Sequence, residues 1–84
     1  SSQSGRSIQL IETLLQAQDE NARHAIFEKA GDDVNADFLQ VLNQVTTQIE
    51  QSNNQHEMVE QLKEIYREAL RYSMQRNLDQ SASA

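Results

Sequence analysis

Apolar residues recur at helical spacing in four separate stretches of the chain. Ile8, Ile11, Leu14 and Leu15 fall at i, i+3, i+6 and i+7, which is one face of a 3.6-residue period, and Leu10 widens the stripe. They predict a first helix over about 7–17, with Ser4 or Ser7 placed to cap it. Ala22, Ala25, Ile26, Phe27 and Ala30 mark a shorter second helix over about 20–30. Asp19 is a natural N-cap there, Glu20 adds favourable charge to the first turn, and Gly31 stands where a left-handed C-terminal cap belongs. "GDDVN" then breaks the pattern.

A third helix is expected over about 36–51. Asn35 is its cap, and Phe38, Leu42, Val45 and Ile49 form its stripe, flanked by Leu39 and Val41. Val34, just before the cap, is placed to staple against Leu39. "QSNNQ" is the second break, because Asn and Ser side chains bond to nearby backbone. The fourth helix, over about 55–77, carries Met58, Val59, Leu62, Ile65, Tyr66, Ala69, Leu70 and Met74 on its apolar face.

The chain has no Pro and only two Gly, so little interrupts these helices, and no period-2 alternation competes with them. The expected fold class is all-α: a small antiparallel four-helix bundle or two stacked helical hairpins. Residues 7–77 are read as one helical domain, with the small polar ends, 1–6 and 78–84, as disordered tails.

Composition narrows what such a domain can do. At 84 residues the core is small, with little room for an enclosed ligand pocket. The absence of Cys removes disulfide scaffolds and thiolate metal sites, and fits a reducing, cytoplasmic setting. No apolar run is long enough to span a membrane, and the start has no signal-peptide layout. The opening on Ser1 rather than Met is what an excised or processed piece would show. Thirteen acidic residues against seven basic give a net charge of -6, which argues against sequence-independent nucleic-acid binding and against anionic lipid.

Four of the basic residues nevertheless lie in "EQLKEIYREALRYSMQRN", 60–77. Lys63, Arg67 and Arg71 form one ridge at spacing four, and Glu60, Glu64 and Glu68 form the ridge beside it. Glu60–Lys63, Glu64–Arg67 and Glu68–Arg71 are i, i+3 pairs of opposite sign, so the basic ridge is expected to be a solvated face neutralised by its neighbours. Arg76 suits the dipole at the end of this helix. Tyr66 belongs to the apolar stripe. Tyr72 falls off it and is read as exposed, a residue type favoured at protein contacts. Twelve Gln spread an uncharged polar surface over the helices.

Candidate chemical constellations are sparse. His24 stands between Glu20 and Glu28 at spacing four, a pattern that fits an ordinary surface network better than a metal or general-base site. His56 opens "HEMVE", but Glu60 occupies the place where the two-His zinc motif needs its second His. "GDDVNAD" lacks the spacing of a calcium loop and reads as a turn with an N-cap. There is no Gly-rich phosphate loop, nucleophile elbow or Cys/His pair. The expectation is a non-enzyme with no cofactor and no metal.

Three stretches, "LLQAQDENARHAIFEKAG", "NADFLQVLNQV" and "NNQHEMVEQLKEI", resemble helical segments that flank tetratricopeptide repeats and caspase-like CHAT domains in bacterial, notably cyanobacterial, multidomain proteins. The resemblance runs from about Leu10 to Leu70. It implies a noncatalytic scaffold or spacer module. The first functional expectation is therefore a protein–protein interaction or scaffold module of a larger bacterial protein, docking through the third and fourth helices, with Lys63, Arg67, Arg71 and Tyr72 as contacts. A homodimerisation module with a seam at Leu10, Val41 and Val59 is the alternative. A small regulatory helical domain that binds nucleic acid is the third reading.

Overall fold

The computed structural model describes residues 2–52 and 55–82, and among these every regular element is a helix. They are α1 (Ser2–Gln16), α2 (Glu20–Ala30), α3 (Ala36–Glu50) and α4 (His56–Ala82), with a single 3₁₀ turn, Gly31–Asp33, between α2 and α3. The fold is a small all-α bundle.

The caps anticipated for α2 and α3 are made. The Asp19 carboxylate accepts from the Ala22 amide at 2.8 Å, and the Asn35 side-chain oxygen accepts from the Phe38 amide at 2.9 Å. Each satisfies one of the amides that an α-helix leaves without a partner in its first turn. Asn35 also donates to the Asp32 carbonyl, which ties the 3₁₀ turn to the start of α3. Gly31 ends α2 at φ 57° and donates its amide to the Phe27 carbonyl, so the chain turns where only glycine adopts the backbone without strain.

Two helix ends depart from the sequence pattern. α1 begins at Ser2, before the expected position 7, and takes in residues read as a tail. Ser4 and Ser7 therefore lie inside the helix and not at its start. α4 continues past Asn77 to Ala82. Ser, Gly and Asn lower helix propensity only modestly, and no Pro stops either helix. Within the second polar break Gln51 and Ser52 form a turn; Asn53 and Asn54 lie outside the described residues, as do residue 1 and residues 83–84 of the expected tails.

α1 and α2 form one antiparallel hairpin, and α3 and α4 form the other. α3 packs along both α4 and α1, and α2 packs against α1 and α4. Contacts that advance together in sequence, Arg23 with Glu68, Phe27 with Tyr72 and Asp32 with Arg76, show that α2 runs parallel to α4. The hairpins are thus stacked, α1 over α3 and α2 over α4. The Cα extents, 47 × 29 × 16 Å, fit two helix layers about 8–10 Å apart.

The core lies between the layers. Leu14, Phe27, Phe38, Leu42, Leu62 and Ile65 are its largest fully buried side chains, joined by Ile11, Val34 and Ala69. Several expected core positions turn outward. Ile8 is 42% exposed and Ala25 is exposed, while Leu70 and Met74 stand out of α4. On α1 the buried face runs through Ser7, Ile11 and Leu14, and the turn carrying Ile8 points away from it. Conversely Val59, assigned to a dimer seam, is buried at 6% exposure, and Leu10 and Val41 are half-buried against the core. That seam is therefore largely consumed by the fold.

Candidate interaction surface

The ion pairs of α4 differ from the local ladder expected from its sequence, and the difference defines its free face. Glu68 is buried instead of solvated. It pairs with Arg23 of α2, not with Arg71: Nε donates to one carboxylate oxygen at 2.6 Å and a terminal nitrogen donates to the other at 2.8 Å. Both side chains are withdrawn from water, at 17% and 8% exposure. The two parallel charge-assisted bonds hold the Arg23 guanidinium above its ordinary pKa, the Glu68 hydrogen bond being the main cause. This pair bolts α2 to α4.

Below it the Tyr72 ring stacks on Phe27 with centroids 5.7 Å apart and meets the His24 ring edge-on at 6.1 Å. Tyr72 is therefore half-buried in the α2–α4 seam rather than presented as an exposed contact. His24 also lies 3.1 Å from the Glu28 carboxylate on the exposed side of α2, a surface pair. Arg76 does not simply face the end of its helix. It reaches across to donate twice to Asp32, at 3.2 and 2.7 Å, and that bond together with Tyr72 raises its pKa. Its guanidinium covers Gly31.

Of the basic ridge, Lys63 pairs with Glu50 of α3 at 3.3 Å instead of with Glu60. Arg67 pairs with Glu64 at 2.9 Å, as the i, i+3 spacing predicts, and the Arg67 hydrogen bond holds the Glu64 carboxyl below its ordinary value. Lys63 and Arg67 form the α4 wall of a shallow open cleft whose α3 wall is Asn43, Thr46, Thr47 and Glu50. The threonine hydroxyls in that wall are used internally, donating to the Leu42 and Asn43 carbonyls. Arg71 is exposed and makes no ion pair among the described residues.

Beside this ridge lie Leu70 and Met74, which the sequence pattern assigned to the apolar stripe, and Leu78, which it placed in the tail. Leu70, Met74 and Leu78, one turn apart along α4, are 38%, 57% and 63% exposed. They are three of the four large exposed hydrophobics among the described residues, and the fourth, Ile8, is on α1. Their exposure follows from their place around the helix: the buried side of α4 runs through Leu62, Ile65 and Ala69, and Leu70, Met74 and Leu78 lie off that side, although the start of α3 at Ala36 reaches Ser73, Asn77 and Gln80. No Asp or Glu occurs on α4 between Glu68 and Asp79. The result is an apolar strip beside Arg71 and the Arg67–Glu64 ion pair, with Asp79 next to Leu78, on a chain of net charge -6.

Among the described residues no group of three or more His, Asp or Glu is placed to hold a metal ion, and no helix is long and apolar enough to cross a membrane. No family model, curated protein or solved structure matches the chain.

Proposed function

We propose that the protein is a noncatalytic helical interaction module that docks a protein partner on the outer face of α4. The observation that carries this reading is the strip Leu70, Met74 and Leu78, exposed in line on one helix, whereas Ile8 on α1, the other large exposed hydrophobic among the described residues, stands alone. Water-exposed Leu and Met are common singly; three in register along one face, beside Arg71, have the layout of a docking surface. Arg67 and Arg71 remain contact residues in this reading, and Lys63 extends the ridge toward α3. Tyr72 is replaced by Met74 and Leu78, because its ring belongs to the α2–α4 seam. The resemblance to segments flanking repeats in bacterial multidomain proteins supports a scaffold role within a longer polypeptide.

The test is a Met74→Glu/Leu78→Glu variant compared with the unaltered chain in extracts of cells that express it. The reading expects the unaltered chain to elute in a complex larger than the 9.6 kDa monomer and the variant to lose that complex while keeping its helical spectrum. Identical elution of the two would reject the α4 face as the docking surface.

A further inference from the structure

α2 is held differently from the other three helices. Phe27 is its single buried side chain, whereas α1 buries Ile11 and Leu14, α3 buries Phe38 and Leu42, and α4 buries Val59, Leu62, Ile65 and Ala69. Its other attachments to α4 are polar or aromatic: the Arg23–Glu68 pair, the Phe27–Tyr72 stack and, just past its end, the Asp32–Arg76 pair. Glu20, Asn21, His24, Ala25, Glu28 and Lys29 all face water. The packing of the other helices does not pass through α2: α3 lies along both α1 and α4, and α1 also reaches α4.

Both ends of α2 are bounded. Asp19 caps its start, and Gly31, at φ 57°, ends it in a 3₁₀ turn. Beyond these boundaries the chain is anchored in the core again, by Leu14 on one side and Val34 on the other. Loss of α2 stops between those anchors. Once detached, a helix of 11 residues is shorter than the ~12–15 that even favourable sequences need to persist in water, so it melts instead of swinging out as a rod. Segments held by few buried apolar contacts are the ones that open locally while the remainder stays folded. We infer that α2 is a latched strap: it opens as one unit while α1, α3 and α4 stay packed, and the Arg23–Glu68 pair is its latch. Opening bares Glu68 and Tyr72, the α4 side chains that α2 holds.

The experiment is native-state hydrogen exchange of the full chain, read by amide NMR at urea concentrations below the unfolding transition. The amides of residues 24–31, whose acceptors lie within α2, are expected to exchange through one common opening. After correction for intrinsic rates they should exchange at least about tenfold faster than the amides of 40–49 and 60–72, with a shallower dependence on urea. Val59→Ala removes packing beside Ile49, about 13 Å along α4 from Glu68. It should speed the α3 and α4 amides about tenfold and leave those of α2 at their original rates. Arg23→Met should speed the α2 amides about a hundredfold. If that variant does not fold, Arg23→Lys takes its place, keeping the charge and losing the two-pronged bond, with about a tenfold rise expected. α2 amides that share the rates and urea slope of α3 and α4, or that speed up with them in Val59→Ala, would show one cooperative unit and overturn the strap. α1 amides that follow those of α2 would make the opening unit the whole first hairpin and overturn it as well. Unchanged α2 rates in the Arg23 variant would reject the ion pair as the latch.

Discussion

Replacing Arg23 with Met would leave the Glu68 carboxylate buried at the α2–α4 seam with nothing to balance it. The side chain of Glu68 is 8% exposed, and both its oxygens are held by Arg23. Removing one member of a buried pair costs roughly 3–5 kcal/mol, because the survivor keeps its desolvation penalty and loses its attraction. The lower end, about 3 kcal/mol, applies here because the edge of Arg23 still meets water at 17% exposure. A domain of this size is stable by roughly 4–13 kcal/mol, so the loss is a large share of the total. It corresponds to a fall in Tm on the order of 12–24 °C. The assay is thermal unfolding followed by circular dichroism, on Arg23→Met, Glu64→Gln as the exposed control, and the double variant Arg23→Met/Glu68→Met. The double variant should recover most of the loss, because two apolar side chains in that seam carry no unpaired charge. A Tm for Arg23→Met within a few degrees of the Glu64→Gln control would refute the reasoning, as would a double variant no better than the single one.

Other outcomes follow from the same geometry. Gly31→Ala should cost about 1–3 kcal/mol by chemical denaturation; the added Cβ would meet only the Arg76 guanidinium, at 3.8 Å or more, so the cost arises from φ 57° and not from a clash. Asn35→Ala should cost about 1 kcal/mol in the same assay, through loss of the α3 cap. Met74→Lys and Leu78→Lys should each change stability by under about 0.5 kcal/mol, since neither side chain is part of the core. The Glu64 carboxyl, held below its ordinary value of 4.5 by Arg67, gives a contribution that is present above that value and lost as pH falls through the lower folded one. Melting curves taken down an acid series should therefore show a slightly shallower decline for Glu64→Gln than for the unaltered chain.

Those effects also show which parts of the molecule are legible in its sequence. Caps are local, so Asp19, Gly31 and Asn35 mark the ends of α2 and the start of α3 where the structure has them. The buried stripe of α3 through Phe38 and Leu42 follows from periodicity, as do Leu62 and Ile65 on α4. The α2–α4 seam is not local. Glu68 has an i, i+3 cation in Arg71, which made a solvated pair the natural reading, whereas its real partner is 45 residues away. A signal was present: Glu68 is three residues from Ile65 and adjacent to Ala69, on the buried side of the wheel. Tyr72 follows at i+3 from Ala69 and belongs to the same side. The exposed strip is illegible for a different reason: periodicity identifies a broad apolar face on α4 but not which part of its width the neighbouring helices cover, and the buried side runs through Leu62, Ile65 and Ala69, leaving Leu70, Met74 and Leu78 outside it.

The candidate face can be interrogated directly by placing a photo-crosslinking residue at position 74 in cells that express the protein, with the exposed position 12 on α1 as the control. Docking along α4 predicts a discrete protein adduct from position 74 and none from position 12. Adducts of equal yield from both positions, or from neither, would contradict a docking surface on α4.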